Sequence, residues 1–158
     1  MKTDRTELQF LPVSINITGK RIVLIGGGKV AFHKATILRR FVGEATVIAP
    51  EFHPEWESLP FELRRKTYEP EDLDGAFLVY ICTGNQALNA TVKADCEQRK
   101  ILANVCDNPA LCDFISPAIH KEGPVTIAVS SNAQDVRRSI AIRNRIKTWV
   151  ENGKIGIQ

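Results

Sequence analysis

Nowhere in its 158 residues does this sequence hold an apolar run approaching the roughly 20 residues that span a bilayer. Its first ten residues are polar and charged, without the basic-then-apolar order of a secretory leader. A cytoplasmic protein with no membrane partner is therefore expected. Low-complexity tracts are also lacking, so disorder is not expected beyond the ends, and no internal repeat is visible. The four cysteines, Cys82, Cys96, Cys106 and Cys112, contain no CxxC pair, so reduced thiols in or near a core are expected rather than a disulfide or a metal site. His33, His53 and His120 are far apart, and no metal is expected there either. Charge of one sign is scarce too: the net +3 is too small to argue for nucleic acid, and no such partner is expected. The late bases Arg137, Arg138, Arg143, Arg145 and Lys147 still concentrate positive charge on one stretch.

What is present is an ordinary globular composition, 44% hydrophobic and 25% charged, in a chain long enough for one sizeable core. Strand and helix patterns alternate along most of it, the mark of a parallel sheet covered by helices. Arg21–Ile25 is a near-continuous apolar run of the kind buried on both faces, and it ends in three glycines. Val30, Ile37, Leu38 and Phe41 then recur at helical spacing. Further strands are expected at 45–49, 61–68, 77–81 and 101–105, with a helix capped by Asn85 and carrying Leu88, Val92 and Cys96 on one stripe. Two apolar segments, 114–119 and 125–130, are joined too closely to run parallel, so they predict an antiparallel hairpin attached to the main sheet. A last helix over about 134–150 gathers Val136, Ile140, Ile142, Ile146, Trp149 and Val150 within half its circumference. The expected fold is therefore α/β: a Rossmann-type parallel sheet with helices on both faces, plus a small carboxy-terminal hairpin-and-helix part. The expected division is 1–112 for the first and 113–158 for the second.

The chemistry lies first in Gly26-Gly27-Gly28-Lys29-Val30-Ala31, a G-x-G-x-x-A between a buried strand and an amphipathic helix. Glycines there permit a tight turn and close backbone approach to a pyrophosphate. Ala31 lets the helix lie near the strand, and the helix amino end offers N–H groups and partial positive charge. A P-loop is excluded, because Gly28-Lys29 is followed by Val30 and Val23 stands where its first glycine should be. A Tyr-x-x-x-Lys pair is absent, since Asp72 follows Tyr68 and Gly84 follows Tyr80 at that spacing. About 20 residues past the loop, Pro50-Glu51 ends the second strand, where an acid takes ribose hydroxyls. No Lys or Arg occurs between Gly43 and Arg64, so NAD is expected over NADP.

Five segments carry a wider resemblance: Leu11-Pro12-Val13 leading into the glycine loop and Lys34; Val47-Ile48-Ala49-Pro50-Glu51; Thr83 with Asn85 and Asn89; Asn104-Val105-Cys106-Asp107; and Phe114-Ile115-Ser116-Pro117-Ala118-Ile119. Together the sequence resembles the precorrin-2 dehydrogenase and sirohydrochlorin ferrochelatase family, the amino-terminal module of siroheme synthases. The resemblance implies a homodimer that binds NAD and oxidises the tetrapyrrole precorrin-2 to sirohydrochlorin; some members also insert iron. It implies that Gly26, Gly28 and Val30 line the cofactor with Thr83 and Asn104 beside it, and that Asp107 is the functional acid. Substrate contact is expected at Ser130, Ser131 and Arg143. Where the family has a glycine-rich Ser-Pro segment, this chain reads Ser130-Ser131-Asn132-Ala133-Gln134-Asp135-Val136. The alternative left open by that change is a non-catalytic NAD-binding regulatory or scaffold domain.

Overall fold

The structure is a computed structural model and describes residues 7–156. It divides into two compact units, Ile15–Phe114 and a second formed by Ile115 onward together with the residues before Ile15. In the first unit the elements run β1 (Arg21–Ile25), α1 (Lys29–Leu38), β2 (Thr46–Ala49), β3 (Glu62–Arg65), β4 (Ala76–Ile81), α2 (Gln86–Gln98) and β5 (Leu102–Val105). The five strands form one parallel sheet in the order β3-β2-β1-β4-β5.

Alternation along β1 explains why both faces need covering. Ile22 and Leu24 point into a cluster with Ala31, Ala35 and Leu38 of α1 and with Trp56. Val23 and Ile25 point the other way, joining Val79 and Ile81 of β4 and Val92 and Cys96 of α2. A strand buried on both sides must be apolar at every inward position of either face, which is what the sequence supplies. The edge strand β3 is different: Glu62, Arg64 and Arg65 are charged, and its side chains are half or fully exposed, which discourages pairing with a further strand.

Asn85 caps α2 by accepting from the Leu88 N–H at 3.1 Å. Burial within α2 includes one charge. The Lys93 ammonium, 7% exposed, meets the Asp113 carboxylate at 2.7 Å, and Asp113 also accepts from the Ala103 N–H at 2.9 Å. One side chain thus ties α2 to the chain leaving β5.

In the second unit, β6 (Ala118–Glu122) and β7 (Val125–Val129) pair antiparallel and α3 (Val136–Glu151) packs on both. The expected hairpin is present, but it forms its own two-stranded sheet rather than extending the parallel one. Its first strand also runs further than the apolar pattern suggested. Gly123, at φ 54°, and Pro124 close the turn by themselves, and a two-residue hairpin turn of that hand needs a positive φ. Between β7 and α3, Asn132 and Ala133 both lie in the left-handed region at φ 56° and 61°. The segment that lacks the family's glycines therefore still adopts backbone angles that glycine takes most easily. Asn132 also holds the amino-terminal segment: its Oδ1 accepts from the Phe10 N–H at 2.7 Å and its Nδ2 donates to the Leu8 carbonyl.

Candidate functional site

In an open parallel sheet, ligands bind beyond the carboxyl ends of the strands where the strand order reverses, here between β1 and β4. The Gly26–Gly28 loop leaves β1 at this place. Gly26 has φ 125°, and a Cβ there would stand 2.4 Å from the Cys82 carbonyl oxygen at the end of β4. A Cβ on Gly27 would lie 2.0 Å from the Glu51 carbonyl oxygen at the end of β2. Both positions exclude a side chain because neighbouring backbone already fills the space. Gly28 is the opposite case: it is exposed, and a Cβ there would meet nothing within 4 Å.

Gly28 is also the N-cap of α1. No side chain caps that helix, and its first turn holds no acid. An open approach to an uncapped helix start is what a pyrophosphate needs, so these residues fit a dinucleotide. Lys29 and Val30 are exposed beside it, while Ala31 is fully buried against the sheet, as close helix–strand packing requires.

The other expected cofactor residues are distributed as follows. Pro50 and Glu51 are exposed at the end of β2. Thr83 follows β4, half-buried; its hydroxyl bonds to the Asn89 side chain and Asn89 Nδ2 donates back to the Thr83 carbonyl at 3.1 Å. Asn104 is buried, and its amide donates to the Phe114 carbonyl at 2.9 Å, an internal commitment that positions the chain after β5. Asp107, two residues past β5, is exposed at φ 65°, with the Asn108 N–H closing a turn to the Val105 carbonyl at 3.1 Å.

Ser130, Ser131 and Arg143 belong to the second unit. Ser130 is exposed at the end of β7, and Ser131 Oγ accepts from the Asp135 N–H at 3.0 Å. Arg143, expected to contact the substrate, donates to the Ile119 carbonyl at 2.8 Å and to Asn144 at 2.8 Å. Carbonyls carry enough negative charge to satisfy a half-buried guanidinium, so its role in joining α3 to β6 requires no acid partner.

Three features were not read from the sequence. Cys82 and Cys106 form a disulfide, with Cα atoms 5.0 Å apart, which corrects the expectation of four reduced thiols. Ile81 and Val105 are register partners in adjacent strands, so the residues following them are brought side by side although 24 positions separate them in sequence. Second, Lys34 of α1 is half-buried within the electrostatic reach of Asp107; burial pushes its ammonium below the ordinary lysine range while the Asp107 charge acts the other way. Third, Arg65 lies near the end of β2, its guanidinium 5.2 Å above the Phe52 ring. The gap in bases between Gly43 and Arg64 therefore does not persist in space, because β3 pairs with β2 and sets Arg65 opposite Ala49.

Residues 13–118 match the family described as "Putative NAD(P)-binding". The chain belongs to this NAD(P)-binding family. It is 35% identical over 147 residues to a siroheme synthase of Pseudomonas fluorescens (strain SBW25), covering 90% of this chain and 32% of that protein. A siroheme synthase of Photorhabdus laumondii subsp. laumondii is 35% identical over 144 residues, covering 89% and 31%. The chain thus spans about a third of the length of these relatives. Among solved structures, SirC, a precorrin-2 dehydrogenase, shares the fold with a TM-score of 0.74 at 23% identity, covering 88% of this chain and 70% of that one. The NAD(P)-binding fold expected from the glycine loop is the one present.

Proposed function

We propose that this NAD(P)-binding protein oxidises precorrin-2 to sirohydrochlorin with NAD as the acceptor, in the cytoplasm and as a homodimer. The observation that carries the reading is a carboxylate, Asp107, held past β5 at the same sheet edge as the open, uncapped start of α1. Similarity to siroheme synthases along nine-tenths of the chain supports the choice of tetrapyrrole.

In this reading the backbone of Gly28, Lys29, Val30 and Ala31 receives the pyrophosphate, Glu51 takes the ribose hydroxyls, and Gly26 and Gly27 keep the turn tight. Thr83, braced by Asn89, borders the cofactor, and Asn104 supports that border from within. NAD, when bound, supplies the hydride acceptor. Oxidation also releases a proton, and Asp107 is the exposed base placed to take it. Lys34, half-buried on α1, sets its charge within electrostatic reach of that carboxylate. Ser130, Ser131 and Arg143 of the second unit are the residues this reading assigns to substrate contact.

Incubating the protein with precorrin-2 and NAD without oxygen should yield NADH and sirohydrochlorin together. NADH formation no faster than in a protein-free control would reject the assignment.

A further inference from the structure

Trp56 sits in the short 3₁₀ turn Pro54–Ser58 after β2 and is 0% exposed. Its indole Nε1–H donates to the Gly27 carbonyl at 2.7 Å, a fully buried bond, and the His53 backbone N–H donates to the same oxygen at 2.9 Å. The indole is itself held edge-on by two rings, Phe32 of α1 at 5.4 Å and Phe52 at 5.8 Å between centroids.

Two donors on one carbonyl fix the orientation of a peptide plane. In a trans peptide the C=O and the following N–H point in opposite directions. Turning the Gly27 oxygen inward to Trp56 and His53 therefore turns the Gly28 N–H away from them, at a residue that is itself exposed. Gly27 and Gly28 lack Cβ atoms that would restrict rotation of this peptide, so an external brace is needed to choose one orientation.

We infer that Trp56 is a positioning residue for the cofactor site, which through its indole N–H presents the Gly28 amide to the pyrophosphate of a dinucleotide. This rests on the NAD-binding reading above. Nothing in the chemistry of the glycine loop alone supplies the second donor, and an apolar residue of similar size at this position would fill the space without it.

The test compares Trp56→Phe, which keeps a ring and removes the N–H, with Phe52→Leu, which loosens the packing around the indole and leaves the N–H. Calorimetry with NAD and with ADP should show roughly 10-fold weaker binding of both to Trp56→Phe, the scale of one hydrogen bond to an anion. Phe52→Leu should lower the melting temperature and leave affinity within about twofold. In protein labelled with 15N-glycine, the Gly28 amide signal should shift or broaden in Trp56→Phe before any ligand is added. Wild-type affinity together with an unmoved Gly28 signal in Trp56→Phe overturns the inference. So does an affinity loss that tracks melting temperature equally in both variants. A wild-type chain that binds neither ligand overturns the cofactor reading itself and this inference with it.

Discussion

Asp107 occupies a backbone conformation that its own side chain makes tolerable. At φ 65° most residues with a Cβ are strained by about 1–2 kcal/mol, and Asp and Asn are the usual exceptions. The turn role and the base role can therefore be separated with two substitutions. Asp107→Asn keeps the turn and removes the base, so turnover should fall roughly 10²-fold or more with an unchanged melting temperature. Asp107→Gly should lose turnover to the same degree while its stability stays equal or rises slightly, since glycine suits this φ best. Turnover within a few-fold of wild type in either variant would remove Asp107 from the chemistry. The sequence placed Asp107 at the sheet edge because a strand was readable just before it; the left-handed angle was not readable, because Asp-Asn-Pro suits several turns. Glu51 shows a similar limit. Its position after β2 was legible, but the nearby Arg65 arrives through strand pairing that no spacing rule reveals. Glu51 should still repel the extra phosphate of NADP, so calorimetry should show NAD preferred. Glu51→Gln should narrow that preference by roughly 10-fold, because the repelling carboxylate is removed while Arg65 stays on the adjacent strand opposite Ala49. An unchanged ratio would show that Glu51 does not face the ribose.

At the scale of elements, β1, β4 and α2 were legible because each carries a strong period: continuous apolar character for strands buried on both faces, and a single stripe for the helix. The hairpin was legible as a pair but not in its bounds, since His120, Lys121 and Glu122 extend β6 with polar residues that only cross-strand pairing recruits. The Lys93–Asp113 tie was invisible, as a lysine on a helix is ordinarily solvated. Lys93→Met should destabilise the protein by about 2 kcal/mol in urea unfolding. That is less than the 3–5 kcal/mol of a fully enclosed pair, because Asp113 is 35% exposed. Burial works against the Lys93 charge, but the hydrogen bonds to Asp113 and Glu97 outweigh it and raise its pKa above the ordinary lysine value. A raised lysine contributes stability that is complete below the unfolded pKa and is lost as pH rises through the folded one. The difference between wild type and Lys93→Met should thus stay constant from about pH 6 to 9 and shrink only above roughly pH 10.5. A difference that varies between about pH 6 and 9 would mean another group controls the pair.

For the whole molecule, the sequence pattern changes after β5, and the structure separates a parallel-sheet unit, Ile15–Phe114, from a hairpin-and-helix unit. The return of the amino-terminal segment to the second unit was not legible, because it depends on the side-chain amide of Asn132 acting at long range. The second unit is also where association is expected. On α3 only Ser139 and Val150 are buried, whereas Val136, Ile140, Ile142 and Trp149 remain exposed. A two-stranded hairpin with one helix is too small to be stable by itself, and a second copy offers the same apolar residues in a self-complementary arrangement. The Arg145 guanidinium lies 5.6 Å from the centre of the Trp149 ring. Sedimentation at high micromolar concentration should therefore give a dimer. Ile140→Glu should shift it to monomer, since a carboxylate placed in an apolar contact must be desolvated without a partner. The parallel-sheet unit holds its own core, so NAD affinity of that variant should remain within a few-fold of wild type while tetrapyrrole turnover falls. A wild-type monomer at this concentration, or a variant that still dimerises with full turnover, would remove α3 from the interface.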